Sequence, residues 1–366
     1  MTRPIRAEIS ASALRHNYHF AKRVAPQSQV FAVVKANAYG HGLERVARVL
    51  HDADAFATLE LDSAATLRKM GVGQPILMLE GFFDRDEIPV YCQQRLMTAV
   101  HSEVQMDMLL HEPLSSPLTV FLKMNSGMNR LGFPAERFPA ELHKAEALQQ
   151  KGVIGDLVLM THFANADTPD GVGDQLKRFV DAVYAANGSL LQRSVANSAA
   201  TIRYPETHFQ WVRPGIMLYG SSPFADETAA ELGINPVMTL RSEVIGVQTI
   251  ERGDRVGYGG VFTARKRMRI GIVACGYADG YPRHAPGTNE QGTPVLVGGR
   301  RTRTVGRVSM DMLAVDITDL PHVHIGAPVT LWGEGLPADE VAHAAGTVAY
   351  ELFCAVAPRV KMVDVD

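Results

Sequence analysis

The stretch Ala32-Val33-Val34-Lys35-Ala36-Asn37-Ala38-Tyr39-Gly40-His41-Gly42 closes an apolar run with a lysine. An unpaired ammonium is costly to desolvate, and its pKa falls in an apolar setting. An amine held that way is a good Schiff-base former. The same lysine could snorkel to a surface carboxylate, and position alone leaves both readings open. The residues after Lys35 favour a site. Small residues, a phenol and two glycines directly after a strand make a tight turn, where backbone and hydroxyl approach a ligand closely.

Other polar groups stand at the ends of apolar runs too: Glu60, Glu80, His101, Lys123, His162, Asn197 with Ser198, and Arg213. The runs are Val30 to Val34, Ala55 to Leu59, Pro75 to Leu79, Leu96 to Val100, Leu118 to Leu122, Leu157 to Met160, Ser194 to Ala196 and Phe209 to Val212. Stretches of helical periodicity separate them. Alternating βα units imply parallel strands with right-handed crossovers, and eight of them match an α/β fold closed as a (β/α)8 TIM-type barrel. An open doubly wound sheet is the alternative. In a barrel every C-terminal strand end lies on one face, so these residues describe a candidate pocket.

Beyond Gly220-Ser221-Ser222-Pro223 the pattern changes. Met238 to Ile250, Met268 to Cys275, Pro294 to Val297, Arg303 to Ile317 and Pro328 to Trp332 read as strands, with turn signals at Gly298-Gly299 and Gly333-Glu334-Gly335. These predict a C-terminal, mainly-β domain. The segment from Gly220 to Asn235, with Gly, Ser, Pro and a short acidic stretch, reads as the boundary, giving a barrel over 1–230 and a β domain over 231–366.

Composition excludes several classes. The chain has 366 residues, 46% of them hydrophobic and 20% charged, and a net charge of −3. That allows a sizeable core and offers no global positive field for nucleic acid or anionic lipid. No apolar run approaches the roughly 18 residues of a membrane span. Met1 to Ser10 holds Arg3 and Arg6 without an apolar stretch behind them, so no secretory signal is visible. Cys92, Cys275 and Cys354 are odd in number and form no C-x-x-C pair, which suits buried thiols in a reducing cytoplasm. The 13 histidines show no metal-ligand spacing, so no metal is expected. Arg300, Arg301 and Arg303 read as a solvated hairpin, and Met106 and Met108 as helix core.

With the lysine stretch belong Lys123-Met124-Asn125-Ser126-Gly127-Met128-Asn129-Arg130-Leu131-Gly132, Thr161-His162-Phe163-Ala164, Ala196-Asn197-Ser198, Arg213-Pro214-Gly215-Ile216, Gly276-Tyr277-Ala278-Asp279-Gly280, Gly306-Arg307-Val308-Ser309-Met310-Asp311 and Tyr350-Glu351-Leu352. Each is weak alone. Together, in order and across both halves, they resemble the alanine racemases, pyridoxal 5'-phosphate enzymes with a barrel followed by a β domain.

The resemblance implies interconversion of L- and D-alanine by two bases on opposite faces of Cα. Lys35 would hold the cofactor covalently and serve as one base, and Tyr277 of the partner subunit in a head-to-tail homodimer would be the other, so a monomer should be inactive. Both side chains have ordinary pKa values of about 10, and both need surroundings that favour the basic form. By the same resemblance Arg213 points at the pyridine nitrogen, and His162 links Arg213 to the tyrosine. An arginine can donate to that nitrogen without protonating it, which makes the ring a weaker electron sink and disfavours transamination. Arg130 would contact the substrate carboxylate and the cofactor's phenolic oxygen. Lys123 matches a lysine that many members carry carbamylated, with an unmodified amine as the plain alternative. Tyr39, Ser198, Tyr350 and the backbone at Gly215 and Ile216 would hold the phosphate. Met310 and Asp311 of the partner would line the substrate side, and Ser309 stands where many members have cysteine.

Three other functions have a claim on the same residues. A one-domain cofactor-carrying barrel would lack the β half and Tyr277. A decarboxylase of the same architecture needs no second base, and the Gly276 to Gly280 motif does not fit its pattern. A racemase of broader substrate range survives as the alternative. Supply of D-alanine as a peptidoglycan precursor and alanine catabolism are both open.

Overall fold

The computed structural model describes residues 3–111 and 114–366, so Met1 and Thr2 of the N-terminal segment lie outside the described residues. Eight parallel strands close on themselves: Gln29–Val33, Ala55–Thr58, Ile76–Met78, Leu96–Val100, Leu118–Asn125, Ile154–Met160, Gln192–Ser194 and Trp211–Val212, the last pairing back with the first. The closed ring excludes the open sheet. Most of these strands are nearly continuous apolar runs, because helices cover the barrel outside and side chains fill it inside; Gln192–Ser194 is the polar exception.

Side chains two apart on a strand share a face. Phe31, Phe121 and Trp211 form one aromatic layer, with ring centroids 4.5 to 6.4 Å apart. The next residues on those faces are Val33, Lys123 and Arg213, which border the cavity at the barrel mouth. The layer is therefore a dry, rigid floor under the polar groups. Two predicted runs are displaced. Ser194 to Ala196 pairs only through Gln192–Ser194, and Phe209, at φ 42°, bends the backbone out of a strand, leaving Trp211–Val212.

The second sheet runs in the order Met268–Val273, Leu313–Asp316, Arg300–Val305, Pro294–Val297, Pro328–Trp332, Met238–Ile250, Arg6–Ser10 and Lys361–Val365. Met238–Ile250 serves several partners and also pairs with Met268–Val273, with a register shift between Val244 and Gly246. The run predicted from Arg303 to Ile317 is two strands rather than one. It breaks at Gly306, φ 74°, where a Cβ would run into the Val256 backbone, and the loop through Met312 comes next. Arg300–Val305 does form the expected hairpin with Pro294–Val297.

Both chain ends reach this sheet. Arg6–Ser10, inside the range read as barrel, pairs antiparallel with Met238–Ile250 and parallel with Lys361–Val365. Its Ser10 then caps the helix Ala11–Val24, accepting from the Ala13 N–H at 3.0 Å. One hydrophobic core runs through both halves, and the helix Ala349–Ala355 packs against the Lys35 turn. Among the described residues no helix is long and apolar enough to cross a membrane, and no cluster of His, Cys, Asp or Glu could hold a metal.

Candidate active site

The C-terminal ends of the barrel strands enclose a cavity of about 520 Å³. Of the strand-end residues, Lys35, Glu80, Lys123, His162, Asn197, Ser198 and Arg213 open into it. Glu60 and His101 do not line it: Glu60 takes the Thr58 and Ser63 hydroxyls, and the His101 ring is 3.0 Å from the Glu80 carbonyl. Tyr39, Arg130, Gly215, Ile216 and Tyr350 complete the walls.

Directly after Val34 the chain turns left-handed. Ala36, Asn37, Ala38 and Tyr39 have φ of 52 to 54°, and Gly40 comes next at 78°. For L-residues that conformation costs roughly 1–2 kcal/mol each, so the surroundings must impose it. They do so in three ways. The Ala38 N–H donates to the Val34 carbonyl at 2.9 Å and Gly40 N–H to Ala36 at 3.0 Å, while the Asn37 side chain accepts from Leu43 N–H at 2.8 Å. Tyr219 donates its hydroxyl to the Val33 carbonyl at 2.8 Å, stacks its ring on Tyr39 and packs it at a tilt against His41, each centroid 4.7 Å away. The His41 Nδ1 meets the Tyr39 carbonyl at 2.9 Å. At Gly40 a Cβ would strike the Phe353 carbonyl, and at Gly215 it would strike the Tyr39 hydroxyl, so both close approaches require glycine. The turn thereby points Lys35 and Tyr39 into one cavity.

A second turn carries Arg130. Asn125 accepts from the N–H groups of Gly127 and Asn129, both at 3.0 Å, while Gly127 and Gly132 take positive φ. Opposite, Asn197 caps the helix Ser198–Arg203 by accepting from Ala200 N–H at 3.0 Å, and the Ser198 hydroxyl accepts from Gly215 N–H at 2.8 Å.

Positive charge dominates the cavity. Burial, then the Arg130 charge, lowers the Lys35 pKa, and the smaller opposing pull of Glu80, Cys354 and Glu60 does not offset this. Burial together with Arg213 and Arg130 brings Lys123 down to about 8. Burial and the cations Arg213, Lys123, Arg130 and Lys35 keep His162 neutral. Arg213 is buried with its charge matched by acceptors: Nη1 donates to the Ser194 hydroxyl at 2.6 Å, and Nη2 to the Thr161 carbonyl at 2.7 Å. Nη2 also lies 3.5 Å from His162 Nδ1, which leaves the imidazole proton on Nε2. A site of this charge suits a ligand bearing a phosphate and a carboxylate.

Tyr277, Met310 and Asp311 are held together elsewhere, on the β domain, and do not line the cavity of their own chain. Tyr277 N–H donates to the Ser309 carbonyl and Ala278 N–H to that of Met310, both at 3.0 Å. Tyr277 is 39% exposed and Met310 53%.

The family model described as "Alanine racemase, N-terminal domain" matches residues 9–223, and that described as "Alanine racemase, C-terminal domain" matches residues 237–364. The alanine racemase of Nitrosospira multiformis is 55% identical over 366 residues, covering 99% of this chain and 100% of that protein. The catabolic alanine racemase of Salmonella typhimurium is 52% identical, covering 99% of each. A crystal structure of the biosynthetic alanine racemase from Pseudomonas aeruginosa superposes with a TM-score of 0.92 at 47% identity, covering 100% of both chains. This chain belongs to the alanine racemase family.

As a member of that family it is an isomerase with a TIM-type barrel and a C-terminal β domain. Within the alanine racemase frame, three side chains at the site carry no mark in the sequence motifs. Cys354 lines the cavity four residues after Tyr350, one helical turn along, a spacing that would have found it. Asp167 also borders the cavity, without a sequence signal of its own. Tyr219 acts through the turn, and only its contacts identify it.

Proposed function

We propose that this chain interconverts L- and D-alanine with pyridoxal 5'-phosphate, as a cytoplasmic homodimer in which each cavity is completed by the partner. The carrying observation is the Lys35 amine, its pKa lowered by burial at the barrel mouth, together with a phenol, Tyr277, that stands exposed outside its own cavity. Of the three free thiols, Cys92 and Cys275 are buried, while Cys354, against the expectation of buried thiols, is exposed; unpaired thiols suit a reducing compartment.

The donor set fits the cofactor. An amine of lowered pKa suits its aldehyde; the hydroxyls of Tyr39, Ser198 and Tyr350, with the Gly215-Ile216 backbone, suit its phosphate; Arg213 suits its ring nitrogen. When bound, the cofactor's ring withdraws electrons and acidifies the amino acid's Cα–H. Residues 1–230 would bind it, and residues 231–366 would lend Tyr277, Met310 and Asp311 to the partner. In this reading Lys35 and the partner's phenol flank Cα, one taking a proton while the other returns one. Arg130 would orient the substrate carboxylate, and His162, neutral with its proton on Nε2, would donate to the phenol. Lys123 faces repulsion from Arg213 and Arg130; as a carbamate it would turn from cation to anion and be attracted to both.

Because enantiomers have equal free energy, the reaction runs either way, and concentrations decide between supply of D-alanine and its consumption. Optical rotation of L-alanine with purified protein tests the proposal. Wild type drives rotation to zero, Lys35→Ala loses the covalently held chromophore, and Tyr277→Phe keeps it but racemises at least about 100-fold more slowly. Normal turnover by Tyr277→Phe would refute the two-base assignment.

A further inference from the structure

The turn that carries Tyr277 is built around a buried carboxylate. Asp279 is fully buried, two residues past the phenol. Its Oδ2 accepts from Gly276 N–H at 2.9 Å and from Arg3 Nη2 at 3.1 Å, and its Oδ1 accepts from Arg359 Nε at 2.7 Å. The same two guanidiniums reach the neighbouring loop: Arg359 Nη2 donates to Asp311 Oδ1 at 2.8 Å, and Arg3 Nη2 to the Asp311 carbonyl at 2.7 Å. One buried anion and two cations from opposite chain ends thus tie the Tyr277 turn to the Met310-Asp311 loop. Glycines at both ends let the turn sit this close, since a Cβ at Gly276 would meet the Ser309 and Met310 carbonyls and one at Gly280 the Ala355 carbonyl.

We infer that Asp279, Arg359 and Arg3 are positioning residues for the phenol of Tyr277: they set where it stands relative to Cα without touching substrate. The inference rests on the proposed role of Tyr277. Asparagine cannot replace the carboxylate, because whichever way the amide turns, its NH₂ faces a donor, Arg359 on one side or Gly276 and Arg3 on the other. Misplacement of a reacting group by about 1 Å costs roughly 100-fold in rate.

The test compares dimeric holoenzymes of wild type, Asp279→Asn, Arg359→Ala and Tyr277→Phe, with Arg301→Ala as a surface control. Arg359 lies at the edge of the network, so its variant keeps the test open should Asp279→Asn fail to fold. The expected result is a kcat about 100-fold lower for Asp279→Asn and about tenfold lower for Arg359→Ala, with KM and cofactor absorbance unchanged. Added guanidinium partly restores Arg359→Ala. In D₂O one enantiomer still exchanges its α-hydrogen through Lys35, while exchange of its mirror image falls with kcat. The inference is overturned if Arg359→Ala matches wild type, or if exchange of both enantiomers falls equally. Should wild type fail to racemise alanine, or Tyr277→Phe turn over normally, the proposed function itself falls. A defect in Tyr277→Phe beside full activity in Arg359→Ala sinks only the positioning role.

Discussion

The two groups proposed as bases are fixed by opposite means. Lys35 stands on a left-handed turn with no ion pair in it, clamped by the rings of Tyr39, Tyr219 and His41 above an aromatic floor. Tyr277 stands on a short turn locked by charge, a buried Asp279 between Arg3 and Arg359. The barrel side half-buries its amine at the wall of the cavity, and that burial, with the Arg130 charge, lowers its pKa. The β side keeps the phenol exposed and spends its electrostatics on the backbone beneath it. Under the proposed roles, an amine that has to lose its charge gains from partial burial, and a side chain that has to reach a neighbouring molecule gains from a rigid, protruding support.

Four outcomes would break or sharpen that contrast. The largest concerns acid. Burial holds His41 at a pKa of about 4 against the ordinary 6.5, so the unfolded chain takes up a proton that the folded one refuses. The His41 contribution to stability is complete above pH 6.5 and falls by up to about 3 kcal/mol as pH drops toward 4. Urea midpoints measured across that range should slope accordingly in wild type and flatten in His41→Phe; equal slopes would detach His41 from the clamp.

Next come opposite substitutions in one turn. Gly40→Ala puts a Cβ into the Phe353 carbonyl at φ 78° and should cost more than about 2 kcal/mol by chemical denaturation. Ala36→Gly, at an exposed left-handed position, should instead stabilise by up to about 1 kcal/mol. A destabilised Ala36→Gly would show that the turn is unstrained.

Smaller is the response of Lys123 to bicarbonate. With a pKa of about 8 its free amine rises with pH, from roughly a tenth at pH 7 to half at pH 8, and carbamate formation should rise with it. Bicarbonate should raise activity more at pH 8 than at pH 6, and Lys123→Ala should abolish the effect. The smallest belongs to the Arg301–Glu340 surface pair, where Arg301→Ala should change stability by less than about 0.5 kcal/mol in a melting experiment.

Much of this is legible from residue order. Leu96–Val100, Met238–Ile250, Pro294–Val297 and Pro328–Trp332 end where their β-branched runs end. Seven strand-end residues that open into the cavity can be picked out because a parallel barrel leaves them no other common face. What escapes depends on partners distant in sequence. Arg6–Ser10 is five residues with only alternate burial, and nothing in it announces a partner at Lys361–Val365. Ala36 to Tyr39 contains no glycine, so local preference points away from the left-handed turn that Tyr219 and Phe353 impose. Asp279 lies inside a recognised motif, but its grip on Arg3 and Arg359 needs both chain ends.

The central claim is that amine and phenol come from different chains, and subunit complementation tests it most directly. Lys35→Ala and Tyr277→Phe protomers, each inactive alone, are unfolded together, refolded with cofactor and assayed for racemisation of alanine. If the phenol serves the partner, random pairing puts one intact cavity in half of the dimers and recovers about a quarter of wild-type activity. Recovery of none, from mixed dimers verified by mass and carrying cofactor, would contradict the account.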